Sequence, residues 1–141
     1  MSSEKNYVSF FLDKQGYALP IACVESVLRA VEITLLPKAQ EFVCGVINVH
    51  GEVIPVVNMR KLFEREQRTL RKEDIFIVCK FASQSFTLWV DEIGEILEHI
   101  SAQSTMQDSQ TTENLETIKH GDQVLLIPDL EHILLKGSDK P

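Results

Sequence analysis

The residue types that do chemistry in proteins are present in this chain, but their spacing does not assemble them into a metal or cofactor site. Two imidazoles four residues apart, as in H-x-x-x-H or H-E-x-x-H, share one face of a helix and can hold a zinc ion. No such pair occurs among the four histidines, which are His50, His99, His120 and His132. The sequence therefore predicts no metal site and no cofactor.

The three cysteines are predicted to be core residues rather than reactive thiols. Cys23, Cys44 and Cys79 each lie in an apolar run, and none is part of a C-x-x-C motif. An odd number of cysteines suits a reducing compartment better than a disulfide framework.

The acidic residues form no catalytic pattern either. The nearest groupings are Asp91-Glu92 and the acids between Glu95 and Glu98, and adjacent acids at strand ends are usually solvated. The chain has no G-x-S-x-G, no phosphate-binding loop and no G-x-G-x-x-G. Because no motif combines a nucleophile, a base and a stabilising donor, the sequence predicts no catalytic residues and a protein that is not an enzyme.

The net charge argues against a nucleic acid partner. The chain has 14 Lys and Arg residues against 21 Asp and Glu, and its formal charge of −7 repels phosphate backbones and anionic membrane surfaces. Basic side chains cluster between residues 60 and 72, but glutamates are interleaved with them, which is typical of a solvated helix and loop surface. The basic residues are Arg60, Lys61, Arg65, Arg68, Arg71 and Lys72.

Composition is that of a single soluble domain. A chain of 141 residues with 44% hydrophobic and 25% charged residues can bury a substantial core. No apolar run approaches the roughly 20 residues of a membrane-spanning helix, and the start, MSSEKNYVSF, lacks the apolar stretch of a secretory signal. We expect a cytoplasmic protein without direct membrane insertion.

The elements that position these residues are clearest in residues 45–63, GVINVHGEVIPVVNMRKLF. Branched residues before and after the dipeptide His50-Gly51 favour two strands, and the dipeptide sits where a tight turn needs positive φ. Pro55 cannot donate a ladder hydrogen bond, so the second strand is predicted to lie at a sheet edge or to carry a bulge. Helical spacing then begins with Met59, Leu62 and Phe63.

The two halves of the chain repeat each other weakly at a nearly constant offset. Residues 16–28 align with residues 85–97, at an offset of 85 − 16 = 69. Gly51 and Gly121, at the predicted hairpin turns, differ by 121 − 51 = 70, and Asn58 and Asp129, each before an apolar helical pattern, differ by 129 − 58 = 71. We interpret this as two similar β units in one chain, with chance similarity between two β-rich segments as the alternative.

Alternation and length predict most of the remaining elements. Val8 to Leu12 and Tyr17 to Ile21 form a predicted hairpin, and residues 33–36 a short strand. The spacing of Val24, Val27 and Leu28 predicts a helical turn over residues 22–29.

In the second half, residues 75–81 are apolar on both faces, which predicts a strand shared between two packed units. Residues 86–90 and 95–100 are predicted to continue that sheet. The polar stretch 101–116 predicts a mobile loop. Residues 124–127 are the last predicted strand, followed by a helix that Asp129 caps and that ends before Lys136.

The 45–63 segment resembles the CheW family of chemotaxis coupling proteins, whose members carry a similar G-V-x-N-L-R-G-x-x-x-P-V-x-D-L-R stretch. Weaker matches are YVSFFLDKQGYALPIACVESV, ITLLPKAQEFVCGVIN and FTLWVDEIGEIL, so the resemblance extends from Tyr7 to Leu135. It implies a mostly β fold of two SH3-like five-stranded barrels packed on a shared apolar core, with short helices. Residues 1–6 and 136–141 would then be terminal tails around one domain of two intertwined barrels.

The resemblance also implies a function without chemistry. Proteins of this family are adaptors that bridge the cytoplasmic tips of chemoreceptors and the regulatory domain of the histidine kinase CheA. A CheW-like docking module for a kinase or phosphatase outside chemotaxis is the alternative. We expect a monomer or a weak self-associate in either case.

Three residues depart from the family pattern on the expected contact surface. His50 stands where the turn usually carries Arg, Asn58 where Asp usually precedes the helix, and Ser26 where Glu is common. A neutral or titrating imidazole lacks the forked donor array of Arg, so a bidentate contact to a partner carboxylate would be lost. The predicted partner-binding residues are Val24, Ser26, Val27, Asn48, His50, Gly51 and Asn58.

Val24 and Val27 have two possible roles. As half-exposed aliphatic residues they would line a groove between the barrels that accepts an apolar helix face. As fully buried residues they would belong to the core.

Overall fold

The computed structural model describes residues 4–36, 42–105 and 115–138, which form twelve β-strands and two α-helices. The first six strands are β1 (Lys5–Leu12), β2 (Gln15–Pro20), β3 (Val24–Arg29), β4 (Thr34–Leu35), β5 (Val43–Val49) and β6 (Glu52–Asn58), followed by helix α1 (Met59–Leu62). The others are β7 (Ile75–Phe81), β8 (Gln84–Val90), β9 (Glu92–Ile100), β10 (Gln103–Thr105), β11 (Leu115–His120) and β12 (Gln123–Ile127), followed by helix α2 (Leu130–Ser138). A single 3₁₀ turn, Ile21–Cys23, precedes β3.

The strands form two six-stranded sheets. Sheet A has the order β10-β11-β12-β2-β1-β9, and sheet B has the order β4-β5-β6-β8-β7-β3. Each sheet curls as an SH3-like barrel and contains five principal strands plus one short edge strand, β10 or β4. The mostly β, two-barrel fold is therefore confirmed.

The internal repeat is confirmed by the strand orders, which correspond position by position. Both sheets contain one parallel pair at the equivalent place, β12 with β2 and β6 with β8. The pairing is interleaved along the chain, because the β1–β2 hairpin completes the sheet of the second half and the β7–β8 hairpin completes the sheet of the first half.

One apolar cluster joins the sheets. Sheet A contributes side chains from β1 and β2, sheet B contributes side chains from β6, β7 and β8, and α2 adds Leu130 and Leu134. The fully buried members include Phe10, Leu12, Val57, Ile77 and Leu88. The β7 residues alternate between this shared core and a smaller cluster inside sheet B that contains Phe76, so the prediction of a strand buried on both faces is correct.

The β5–β6 hairpin has the predicted turn. His50 and Gly51 have φ angles of 52° and 85°. Pro55 lies in an internal strand rather than at a sheet edge, but the ladder between β6 and β8 begins only at Val56, so no partner strand needs an N–H at Pro55. The bulge lies in the first strand of the hairpin, β5, between Val43 and Gly45. It is opposite Val56 and Val57 of β6.

Both helices begin at a side-chain cap, of which Asp129 is the predicted one. The Asn58 Oδ1 accepts the backbone N–H of Lys61 at 3.1 Å, and the Asp129 Oδ1 accepts that of His132 at 3.2 Å. These caps are 71 residues apart, as in the sequence repeat. Helix α2 continues to Ser138, past Lys136.

The predicted helical turn over residues 22–29 is wrong. Only Ile21–Cys23 is helical, and Val24–Arg29 is strand β3, paired with β7. Along β3 half-buried and exposed residues alternate, with Val27 on the outer side and Val24 and Leu28 on the inner side. Pairing with β7 outweighed the weak helical spacing of a six-residue segment.

Two predictions in the second half need correction. Strand β9 does not continue the sheet of β8 but pairs with β1 in sheet A. The predicted loop 101–116 contains β10 and the first two residues of β11. The sequence of β10, QST, has no apolar residue, so no alternation indicated a strand there. The rest of that loop, 106–114, lies outside the described residues.

No helix in the described part of the chain is long and apolar enough to cross a membrane.

The turn geometry predicts the effect of replacing Gly51. A Cβ at this position would meet no atom within 4 Å, so the strain of Gly51→Val comes from the backbone alone. We expect a loss of about 1–3 kcal/mol in the free energy of unfolding, measured by urea denaturation. Gly51→Asn is the control and should lose much less, because Asn tolerates positive φ. Unchanged stability of the valine variant would contradict the turn assignment.

Candidate functional site

The predicted partner-binding residues do not form one site. Val24, Ser26 and Val27 lie on β3, at one edge of sheet B. Asn48, His50 and Gly51 lie at the β5–β6 turn, and three strands separate β5 from β3 in the sheet order. Asn58 ends β6. The chain therefore presents at least two separate candidate contact surfaces.

Of the three predicted residues on β3, only Val27 is exposed. Its exposed fraction is 43%, whereas Val24 is half-buried and packs against the shared core. Ser26 is also half-buried. Next to Val27, Glu25 accepts a hydrogen bond from the Ser85 hydroxyl at 3.4 Å and lies 3.9 Å from the Lys80 ammonium. The two valines therefore differ in role. Val24 packs against the shared core, and Val27 is a surface residue.

At the β5–β6 turn, His50 is exposed and Asn48 holds the turn together. The Asn48 Oδ1 accepts the Gly51 N–H at 2.9 Å. The Asn58 side chain forms two hydrogen bonds. Its Oδ1 caps α1, and its Nδ2 donates to the Gln67 Oε1 at 2.8 Å. Asn48 therefore shapes the turn that carries His50, whereas Asn58 lies at the other end of β6 and caps α1.

An exposed aliphatic surface adjoins this turn and was missed by the sequence reasoning. We call it the hairpin patch and define it as Val31 and Val53, which are 47% and 62% exposed. Both residues line a groove of about 460 Å³ that also includes Asn48. Exposed apolar side chains that line a groove are a candidate contact site. In the sequence, Val53 looks like an ordinary strand residue, because nothing local tells which strand face stays uncovered.

A second concave surface lies between the barrels. We call it the inter-barrel cleft, a cavity of about 470 Å³ at the open end of the β1–β2 hairpin. Its apolar wall includes buried side chains from both sheets and α2, and its charged residues are exposed. The apolar lining is Leu19, Pro20, Cys23, Phe81, Ile127, Pro128 and Leu130, and the charged rim is Lys5, Glu116, Asp129 and Glu131.

The opposite end of the inter-barrel interface is closed by ion pairs. We call this group the ionic cluster and define it as Asp13, Arg60, Arg68, Asp74 and Asp91. The Arg60 guanidinium is 2.8 Å from Asp13 and 2.6 Å from Asp91, and Arg68 is 2.8 Å from Asp74 and 2.6 Å from Asp91. Asp13 belongs to the β1–β2 turn of sheet A, whereas Arg60 and Asp74 flank the segment between β6 and β7 of sheet B. The cluster thus connects the two barrels.

Burial sets the electrostatics of the cluster. The Arg60 side chain is 7% and the Asp74 side chain 3% exposed. Burial alone would raise the pKa of Asp74, but hydrogen bonds from Arg68, the Arg71 backbone N–H and the Trp89 indole together hold that pKa below its usual value of 3.8. A hydrogen bond from Arg60 is the main cause that lowers the pKa of Asp13.

The expectation of a solvated basic surface is therefore wrong for Arg60 and Arg68, and so is the expectation that Asp91 is merely solvated. The sequence separations between partners reach 60 − 13 = 47 residues, so no local motif could have indicated the pairing. The strand topology alone brings these side chains together.

The thiols have the environment of core residues. Burial raises the pKa of Cys23, of Cys44 and, most strongly, of Cys79. These groups stay protonated at neutral pH and are poor nucleophiles. Within the described ranges, no three His, Cys, Asp or Glu side chains are grouped so that they could hold a metal ion.

Two interleaved, SH3-like barrels that share one apolar core define the fold class of this protein. Comparison with known proteins agrees. The family model of the CheW-like domain matches residues 6–137. The chain belongs to this family.

Individual relatives match either nearly the whole chain or a part of it. The chemotaxis protein CheW of Bacillus subtilis is 25% identical over 138 residues, which are 94% of this chain and 88% of that protein. CheW of Thermotoga maritima is 42% identical over 59 residues, 42% of this chain and 39% of that protein. The crystal structure of the scaffolding protein TtCheW from Thermoanaerobacter tengcongensis superposes with a TM-score of 0.77 at 29% identity and covers 92% of each chain.

The ionic cluster predicts an acid-sensitive stability. Because the folded-state pKa of Asp74 lies below 3.8, its ionic contribution is fully present above that value and is lost as the pH falls through the folded pKa. Asp74→Asn should cost on the order of 3 kcal/mol at neutral pH, since it leaves the buried Arg68 partly unpaired. Its stability should then depend less steeply on pH between about pH 5 and about pH 2 than that of the unmodified chain.

Urea denaturation across this pH range measures both effects. Glu73→Gln, at the exposed neighbouring residue, is the matched control and should leave the stability and its pH dependence nearly unchanged. Equal pH dependence in Asp74→Asn and the unmodified chain would contradict the assigned role.

Proposed function

We propose that the chain is a non-catalytic adaptor of the cytoplasm that couples chemoreceptors to the histidine kinase CheA. The observation that carries this proposal is the likeness to a scaffolding CheW structure over 92% of both chains. The receptor would be contacted at its cytoplasmic tip and the kinase through its regulatory domain. Such a protein would join membrane receptor arrays through its partners rather than by inserting into the bilayer.

The arrangement of exposed surfaces supports an adaptor. An adaptor must touch two partners at once, so its contact surfaces must not overlap. Val27 lies at one edge of sheet B, next to the start of β3 where Cys23 lines the inter-barrel cleft. The hairpin patch and His50 belong to the segment before β4 and to the β5–β6 hairpin, and two strands, β8 and β7, separate β6 from β3. We assign the receptor tip to the Val27 edge with the cleft, and the kinase domain to the hairpin patch.

The predicted site residues then divide into two roles. Val27 and His50 are exposed and would contact a partner. Val24 and Ser26 hold the β3 edge in place, and Asn48 and Gly51 shape the hairpin turn through a hydrogen bond and a positive φ angle. Asn58 lies at the other end of β6 and caps α1. The shared fold also allows a docking module for a different kinase or phosphatase, an alternative that the departures at Ser26, His50 and Asn58 favour.

The decisive experiment is a pull-down with a chemoreceptor tip and the CheA regulatory domain, each alone and both together. We expect a ternary complex with the unmodified chain. Val27→Asp should fold, because the side chain is largely outside the core, and should lose the receptor but keep the kinase domain. Val24→Asp is the contrasting variant and should be destabilised, because Val24 packs on the shared core. Binding of neither partner by the folded, unmodified chain would contradict the adaptor function.

His50→Arg tests the turn as a contact. An Arg at this exposed position restores a permanent cation with a forked donor array, so a carboxylate of a conventional CheA regulatory domain should bind more tightly. One charge-assisted hydrogen bond contributes roughly 1–3 kcal/mol, and we expect about a tenfold gain in affinity by titration calorimetry at neutral pH. Glu52→Gln, next to the turn, is the control that checks whether a change in net charge alone increases the affinity. Unchanged affinity of a folded His50→Arg variant would show that the turn is not part of the contact surface.

A further inference from the structure

The chain passes from one sheet to the other at two places among the strands that the structure describes. Strand β2 of sheet A leads to β3 of sheet B through the 3₁₀ turn Ile21–Cys23, and β8 of sheet B leads to β9 of sheet A through the single residue Asp91. Asp91 corresponds to Ala22, in the middle of that turn, at the repeat offset of 91 − 22 = 69 residues. The two crossovers are therefore equivalent positions of the internal repeat.

The two crossovers lie at opposite ends of the shared core and are held differently. Cys23, the last residue of the 3₁₀ turn, lines the inter-barrel cleft, whereas Asp91 belongs to the ionic cluster that closes the other end. The 3₁₀ turn contains no buried residue, and no side-chain hydrogen bond caps its start at Pro20. Polar contacts between the barrels are thus concentrated at Asp91.

Asp91 is hydrogen-bonded to both barrels. Its Oδ2 accepts the backbone N–H of Asp13 and the Arg60 guanidinium, each at 2.6 Å, and its Oδ1 accepts the Arg68 guanidinium at 2.6 Å. Its own backbone N–H donates to the Phe11 carbonyl at 3.0 Å. Phe11 and Asp13 belong to the β1–β2 hairpin of sheet A. The two arginines belong to the segment that connects β6 and β7 of sheet B.

These contacts are directional, whereas the attraction between the apolar faces is not. Apolar burial scales with the area removed from water and depends little on the exact angle between the sheets. Charge-assisted hydrogen bonds are strong and weaken steeply when donor and acceptor are misaligned. The Asp91 side chain is 15% exposed, so water competes little for its oxygens. The core therefore holds the barrels together, and the contacts of Asp91 select one angle between them.

We propose that Asp91 is the positioning residue that sets the angle between the two barrels. This inference goes beyond the adaptor function, because it concerns the chain alone and is tested without a partner.

The test measures residual dipolar couplings of backbone amides in the full isotope-labelled chain, weakly aligned in a dilute medium. In the unmodified chain one alignment tensor should fit the couplings of both sheets. Asp91→Asn keeps the shape of the side chain but removes its charge, and it should fold because Arg60 keeps Asp13 and Arg68 keeps Asp74 as partners. The two sheets of this variant should need tensors that differ in magnitude or direction. One shared tensor with the sheet orientation of the unmodified chain would overturn the proposal.

Asp91→Glu provides a second variant that retains the negative charge. Its carboxylate is displaced by one methylene, so both arginines can stay paired only if the barrels shift. One tensor should again fit both sheets, but the angle between the sheets should differ from that of the unmodified chain. An unchanged angle in Asp91→Glu would also overturn the proposal.

Two controls separate the angle from charge and from stability. Glu92→Gln removes the same charge at the exposed neighbouring residue and should leave one shared tensor. Val56→Ala removes buried methyl groups from the cluster inside sheet B, away from the shared core, so it should lower the stability to urea but also leave one shared tensor. Separate tensors in Val56→Ala would attribute the effect to lost stability and contradict the role of Asp91.

Binding measurements keep this inference distinct from the adaptor function. The hairpin patch lies on sheet B alone, so Asp91→Asn should bind the kinase domain as the unmodified chain does. The inter-barrel cleft is lined by both barrels, so the same variant should bind the receptor tip more weakly. Unchanged receptor binding together with separate tensors would support the role of Asp91 and contradict the assignment of the receptor to the cleft. If the unmodified chain binds neither partner, the adaptor function fails, and the tensors alone decide the role of Asp91.

Discussion

The structure depends on one apolar core that two interleaved sheets build together. The β1–β2 hairpin precedes the strands of sheet B in the chain but pairs in sheet A, and the β7–β8 hairpin pairs in sheet B. Each sheet therefore needs strands from both halves of the sequence, and both sheets bury side chains in the same cluster. Because apolar burial is the main source of stability, neither half can retain it when separated from the other. The two barrels form one cooperative unit, and their contact surfaces keep a constant relative position.

The two ends of this core have opposite properties. At one end Arg60 and Arg68 are each shared between two aspartates, so that buried charges of both signs are paired and hydrogen-bonded. Buried ion pairs of this kind contribute little net stability relative to apolar packing, but leaving one partner unpaired is costly, which favours a single orientation of the barrels. Tyr17 supports the same region, because its ring stacks on Phe10 and Phe63 while its hydroxyl accepts a hydrogen bond from Arg65. The other end remains open as the inter-barrel cleft.

Under the proposed adaptor function, this architecture would act through geometry. A rigid body with separate contact surfaces would fix the distance and angle between its partners, and its output would be the geometry of the assembly. Specificity for a partner then lies in surface residues that can be substituted without affecting the fold. His50 is an example, since the turn requires positive φ at this position but leaves the side chain in solvent. A change of charge there alters the partner contact without a cost to the core.

The sequence alone predicted the features that depend on local interactions. The positive-φ turn at Gly51, the Asp129 cap, the doubly buried strand β7 and the internal repeat all depend on neighbouring residues or on periodicity, and the structure contains each of them. Tertiary structure alone decided the rest. Val24–Arg29 became a strand because β7 offered an edge, β9 joined sheet A because β1 was its partner, and the ionic cluster formed between residues up to 91 − 13 = 78 positions apart. The hairpin patch follows the same principle, since a strand's residues show that one face is apolar, whereas only the packed fold determines which apolar face remains uncovered.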